Sequence, residues 1–242
     1  MWKTFAGHCI YQSSQGIRVF QNPLYRWLKF NSPALQTVLN RYRPAKFELQ
    51  YLRVLTIAIQ LHPRNCCMLG LGGGGAAHAL SPLLDGYELV IIESNVEVIE
   101  VAKRFFWIDR LKNIDLINEE ASQFINRSEY NFSHLIIDLF TDTHFPIECN
   151  KGNFFADCKL RLEPGGILAL NSANAKEHFQ LLQQIQKQFN RATLSVAIPG
   201  SSNLIIFAQN SNTIEPFLEN LKNNNKIKKL SWLKDWGYVA IL

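Results

Sequence analysis

The chain has 242 residues, 47% of them apolar and 19% charged, which suits one sizeable domain with a small appendage and excludes a disordered chain. Its net charge of +5 comes partly from a lysine-rich stretch between Lys222 and Lys234 that reads as a solvated face, so no nucleic-acid partner is expected. Five cysteines without a C-x-x-C pair predict neither a disulfide framework nor a metal site, and the absence of a signal-like or membrane-spanning apolar run predicts a cytoplasmic protein with no membrane association.

From His8 to about Pro44, short alternating runs are separated by turn signals at Gly16, Asn22-Pro23 and Asn31-Ser32-Pro33. This predicts a small antiparallel β-domain over residues 1–45. Ala45 to Leu61 carries Phe47, Leu49, Leu52, Leu55 and Ile59 at helical spacing, which predicts a linking helix at the start of a second domain, 46–242.

From Cys66 onward the pattern alternates strand and helix, the signature of a parallel sheet covered on both faces. Strands are expected at Cys67–Leu71, Leu89–Glu93, Ile114–Ile117, Leu135–Leu139 and Ile167–Asn171. Helices are expected near Ala76–Leu84, Val96–Phe106, Asn153–Leu162 and Lys176–Phe189. Thr193–Ile198 and Leu204–Ala208, joined by a turn-rich loop at 199–203, predict an antiparallel hairpin that closes a mostly parallel, seven-stranded α/β sheet.

The strongest motif is Gly70-Leu71-Gly72-Gly73-Gly74-Gly75, which follows a predicted strand and opens a helix. Residues without Cβ atoms let backbone approach a nucleotide, and the helix N-terminus beyond offers free N–H groups. Nineteen residues after Gly74, Glu93 ends the next strand, where a carboxylate can accept both ribose hydroxyl hydrogens. The spacing Gly70-x-Gly72-x-x-Gly75 also satisfies the dinucleotide fingerprint, so the loop alone leaves a nicotinamide enzyme open.

Past the third strand, Glu119 or Glu120 can accept from an adenine amino group, or complement the N-terminus of a helix. Asp138 ends the fourth strand beside the glycine loop. An acid in so apolar a run is costly unless it is paired or functional.

On these residues the chain resembles the spermidine synthase family of aminopropyltransferases, in its divergent bacterial branch. The likeness runs from Tyr11 to Ala208 and includes Tyr11-Gln12, Gly16-Ile17-x-Val19, Arg26-Trp27-Leu28-x-Phe30, Gln36, the glycine loop with Glu93, Asp138, and Leu162-Glu163-Pro164-Gly165-Gly166. It implies a Rossmann-like class I methyltransferase fold behind a small β-domain, and a homodimer. It also implies transfer of an aminopropyl group from decarboxylated S-adenosylmethionine to a polyamine such as putrescine, with no metal and no tightly bound cofactor.

The resemblance further implies donor contacts from Gln36, Gly70, Gly72, Gly73, Gly74, Glu93, Glu120, Ala121 and Asp138, and acceptor contacts from Tyr51 and Asp142. Asp138 would be the catalytic acid nearest the reacting amine. Three positions depart from the family pattern. Gly73 stands where the family's loop has an aspartate, Gln50-Tyr51-Leu52 replaces Tyr-His-Glu, and Thr141 takes the place of a second strand-end aspartate, with Asp142 one position late. Loss of the loop acid removes a group that repels the carboxylate of ordinary S-adenosylmethionine, so a methyltransferase using that donor stands as the alternative. A non-catalytic protein on the same fold is the third reading, disfavoured by Glu93 and Asp138.

Overall fold

Strands β1 (His8–Gln12), β2 (Arg18–Gln21), β3 (Tyr25–Lys29) and β4 (Thr37–Asn40) pair antiparallel in sequential order. They belong to a computed structural model that describes residues 2–32, 34–139, 144–150 and 153–242. The turn signals at Gly16 and Asn22-Pro23 act as expected; Pro33 of the third signal lies outside the described residues. Ser13 Oγ accepts the Ile17 N–H at 3.2 Å across Gly16, whose φ is +86°. Asn22 Oδ1 accepts from the N–H groups of Leu24 and Tyr25 at 3.0 and 2.7 Å, which turns the chain around Pro23.

The linking segment differs from the expected single helix. It folds as α1 (Gln50–Leu55) and α2 (Ile57–Leu61). Residues before Gln50 stay out of the helix, and the buried Glu48 carboxylate there pairs with Lys3 Nζ at 2.6 Å. At the break, Thr56 Oγ1 donates to Leu52 O at 2.6 Å, a side-chain bond that competes with the helical ladder.

The second sheet is built from β5 (Cys66–Leu69), β6 (Leu89–Glu93), β7 (Ile114–Asn118), β8 (Phe132–Ile137), β9 (Leu162–Ser172), β10 (Thr193–Ala197) and β11 (Leu204–Gln209). Between them run α3 (Gly75–Leu80), α4 (Val96–Phe106), α5 (Ala121–Arg127), α6 (Phe154–Leu160) and α7 (His178–Gln188). After β11 come α8 (Glu215–Asn223), β12 (Lys229–Leu233) and β13 (Gly237–Ile241). Among the described residues the sheet therefore has nine strands, in the order β12-β13-β10-β11-β9-β8-β5-β6-β7, and not the seven expected.

Of the two added strands, β12 lies in the lysine-rich stretch read as a plain solvated face and β13 follows it. Together they form a hairpin that turns at Gly237, with φ +72°, and whose β13 pairs parallel to β10. Lysines on an outermost strand discourage further pairing.

Central strands are apolar on both faces because both are covered. Cys66 and Met68 of β5 point into one layer of the core, Cys67 and Leu69 into the other. Period two also divides the small sheet. Val19, Leu28 and Leu39 pack on Val98, Val101 and Phe106 of α4, whereas Tyr25, Trp27 and Val38 join the main core. Each face of the small sheet is thus buried against the larger unit, which holds β4 over the glycine loop.

β5 pairs parallel to β6 on one side and to β8 on the other, so strand order reverses at β5. In open α/β sheets the crevice at such a reversal, outside the carboxyl ends of the strands, is the ligand position. Here it receives Gly70 directly after β5, Glu93 at the end of β6 and Asp138 directly after β8.

Candidate active site

A cleft of about 1550 Å³ opens at that reversal, walled by the glycine loop, the ends of β6, β8 and β9, the N-terminal turn of α1 and the 199–203 loop. Gln36, Tyr51, Gly70, Gly72, Glu93, Glu120, Ala121 and Asp138 all line it, so residues far apart in sequence share one cavity. Asp142 lies outside the described residues, as does Thr141.

The glycines divide by what surrounds them. A Cβ on Gly70, where φ is +97°, would stand 2.3 Å from the Asp138 carbonyl oxygen, so this glycine permits β5 and β8 to converge under the cleft. Gly74 takes φ +73°, and a Cβ there would meet Ile108 Cδ1 at 2.7 Å. Gly73 turns toward β4: its N–H donates to Thr37 Oγ1 at 2.8 Å. Gly73 and Gly74 thus shape the loop from behind, while Gly70 and Gly72 form cleft wall.

Glu93 is fixed before any ligand arrives. Its Oε2 accepts the Leu71 N–H at 3.1 Å and its Oε1 the Asn95 N–H at 3.0 Å. Asn95 in turn caps α4, accepting from Glu97 N at 2.9 Å. The carboxylate therefore joins the glycine loop to the next helix start and retains lone pairs toward the cleft.

The two acids past β7 have distinct surroundings. Glu119 forms a two-point pair with Arg127, Nε to Oε1 at 2.6 Å, and that guanidinium holds its carboxyl below the usual range. Glu120 caps α5, its Oε2 accepting from Ser122 N at 2.7 Å and Gln123 N at 3.1 Å. The Glu120 Oε1 has Cys149 Sγ at 3.8 Å. Both acids line the cleft, and Glu120 combines the helix-terminal role with a second oxygen.

Asp138 lies at the floor. Tyr51 Oη donates to its Oδ2 at 3.0 Å and Asn171 Nδ2 to its Oδ1 at 2.8 Å. Burial raises the Asp138 carboxyl above its ordinary value, opposed by the bonds from Asn171 and Tyr51. Burial, and then the charge of Asp138, push the Tyr51 phenol well up, so Tyr51 stays a donor. A poised carboxylate with two fixed donors and further lone pairs can hold a cationic amine and take a proton from it.

Thr37, Asn171 and Asn203 are cleft residues that the sequence reading did not single out. Asn171 had a signal, as a polar side chain directly after the apolar run Ile167–Leu170; Thr37, beside Gln36, had none beyond its neighbour.

Residues 50–216 match the model of the spermine/spermidine synthase domain. The chain is 22% identical to a polyamine aminopropyltransferase of Neisseria meningitidis, over 81% of this chain and 77% of that protein. A polyamine aminopropyltransferase of Vibrio vulnificus is 23% identical, over 94% and 84%. Among solved structures, a spermidine synthase in complex with the transition-state analogue AdoDATO superposes with a TM-score of 0.68, at 19% identity, over 84% of this chain and 74% of that one. The fold likeness extends to human methyltransferase-like protein 13 in complex with SAH, at a TM-score of 0.59 and 16% identity, over 76% and 93%. With the family model spanning the glycine loop, Glu93, Asp138 and the closing hairpin, the chain belongs to the spermine/spermidine synthase family.

Proposed function

We propose that this protein is an aminopropyltransferase that uses an adenosyl-sulfonium donor, decarboxylated S-adenosylmethionine, and a polyamine acceptor such as putrescine. The observation that carries the reading is Asp138, set at the strand reversal between the glycine loop and Tyr51. The adenosyl group would lie over Gly70 and Gly72 with its ribose on Glu93 and its adenine toward Glu120 and Ala121; Gln36, whose backbone lies beside Gly72, would also contact the donor.

In the transfer, the acceptor nitrogen lone pair attacks the aminopropyl carbon bonded to sulfur. The C–S bond breaks as the N–C bond forms, and its electron pair leaves on sulfur as neutral methylthioadenosine. The acceptor amine must lose a proton, and Asp138 is the base within reach of the floor. Holding both substrates in one cleft supplies much of the remaining acceleration. The family resemblance extends the reading to a cytoplasmic homodimer; sedimentation of the purified chain tests the dimer.

The second reading, a methyltransferase, draws on Gly73, which leaves the loop without an acid. The two are separated by product. Incubation with each donor and a diamine panel yields methylthioadenosine for aminopropyl transfer and S-adenosylhomocysteine for methyl transfer. Formation of the latter alone would overturn the proposal.

A further inference from the structure

Asp138 is held from two sides, and one of its partners is itself held. Asn171, buried on β9, donates through Nδ2 to Asp138 Oδ1 at 2.8 Å. The Asn171 Oδ1 accepts from Asn203 Nδ2, also at 2.8 Å. An amide has one accepting and one donating end, so anchoring the oxygen on Asn203 commits the NH2 to Asp138. With Asn203 absent, the Asn171 amide is free to reverse, and its carbonyl oxygen against Asp138 would favour the protonated acid.

We propose that Asn203 and Asn171 are positioning residues, an amide relay from the 199–203 loop that fixes the orientation of the donor facing Asp138 and keeps that carboxylate ready to accept a proton. The inference rests on Asp138 being the base of the proposed transfer, and its geometry stands apart from that assignment. Among the described residues, the ionisable group bonded to Asp138 is Tyr51 of α1; β9 and the 199–203 loop present amides, and the glycine loop presents backbone. Asn203 is half-buried in a loop that carries no core side chain of its own, so it can be altered without emptying the core.

The test is a double-mutant cycle read by the ionisation of Asp138. Protein with ¹³C-labelled aspartate carboxyls is titrated by NMR, the Asp138 signal being identified by its loss in Asp138→Asn. Asn171→Leu removes the donor and should raise the midpoint by about one pH unit or more. Asn203→Ala should raise it by a smaller amount, and should add nothing in the Asn171→Leu background. If Asn171→Leu does not fold, Asn171→Ala serves the same cycle with a smaller side chain that also carries no donor.

An unchanged midpoint in Asn203→Ala, or an equal shift with and without Asn171, would overturn the relay. In kinetic runs with decarboxylated S-adenosylmethionine and putrescine, the acidic limb of kcat/KM should move with the NMR midpoint while methylthioadenosine affinity stays unchanged. Midpoint shifts in a protein with no aminopropyl transfer would leave the relay standing and remove the functional reading. Transfer with no midpoint shift would do the reverse.

Discussion

The Thr37 hydroxyl accepts the Gly73 N–H at 2.8 Å, and a Cβ built on Gly73 would stand 3.0 Å from both Cβ and Cγ2 of Thr37. Thr37 comes from β4 of the small sheet, so that sheet and the glycine loop are in direct contact at the position where the family pattern has an acid.

Donor selectivity at this contact involves both residues. The wild type should discriminate poorly between S-adenosylmethionine and its decarboxylated form, because no loop carboxylate repels the larger donor. Gly73→Asp alone should lower stability by about 1 to 3 kcal/mol through overpacking against Thr37. Adding Thr37→Ala should recover part of that loss and shift the affinity ratio toward the decarboxylated donor. Thermal denaturation followed by calorimetry with each donor checks both; a wild type that already excludes S-adenosylmethionine would sink the idea.

For Glu93, Ala substitution should lower methylthioadenosine affinity at least tenfold, since each hydrogen bond to a charged acceptor is worth about 1.5 to 3 kcal/mol. The same change releases the Leu71 and Asn95 N–H groups, so the loop should loosen as well. Glu93→Gln keeps one carbonyl oxygen and should retain more affinity than Glu93→Ala. Equal affinity of all three proteins, measured by calorimetry, would place the ribose elsewhere.

Glu120 joins two roles that a suitable replacement separates. Serine is a good N-cap, so Glu120→Ser should keep stability within about 0.5 kcal/mol, whereas Glu120→Ala should lose about 1 kcal/mol of α5 capping. Both variants lack the second oxygen, and both should bind methylthioadenosine several-fold more weakly. If only the Ala variant binds worse, Glu120 acts through the helix end alone.

The sequence made the sheet at the strand reversal legible because its signals are local: buried apolar runs, a glycine loop, and acids at strand ends. Gly70, Glu93 and Asp138 meet for that reason alone. The bond from Tyr51 to Asp138 was not legible, since it joins α1 to the end of β8 across 87 positions. The contact of Thr37 with Gly73 needed the small sheet to be docked on α4. The last two strands escaped notice because each is only five residues long and β12 opens on a lysine in a lysine-rich stretch; pairing of β13 with β10 supplied what the local pattern lacked.

Asp138 offers the sharpest joint test of site and stability. Burial raises its carboxyl from an ordinary value of 3.8, with Asn171 and Tyr51 pulling the other way. An acid raised on folding binds more protons in the folded than in the unfolded chain within the window from that ordinary value up to its raised one. Stability contributed by this group therefore falls as pH rises through that window. Asp138→Asn cannot ionise, so the difference in unfolding free energy, wild type minus variant, should decline from about pH 4 upward and then level off. Urea denaturation across that range measures it, and a flat difference would show that the acid is not raised. In the same variant the donor should still bind, while aminopropyl transfer at neutral pH falls by about 10² to 10⁴, the usual worth of general-base catalysis. An alkylamine loses its own proton near pH 10, so the deficit should shrink as pH approaches that value. Single-turnover formation of methylthioadenosine from pH 7 to about 10 reads the deficit directly. A variant as fast as wild type at neutral pH would make Asp138 structural, and transfer would then need another base.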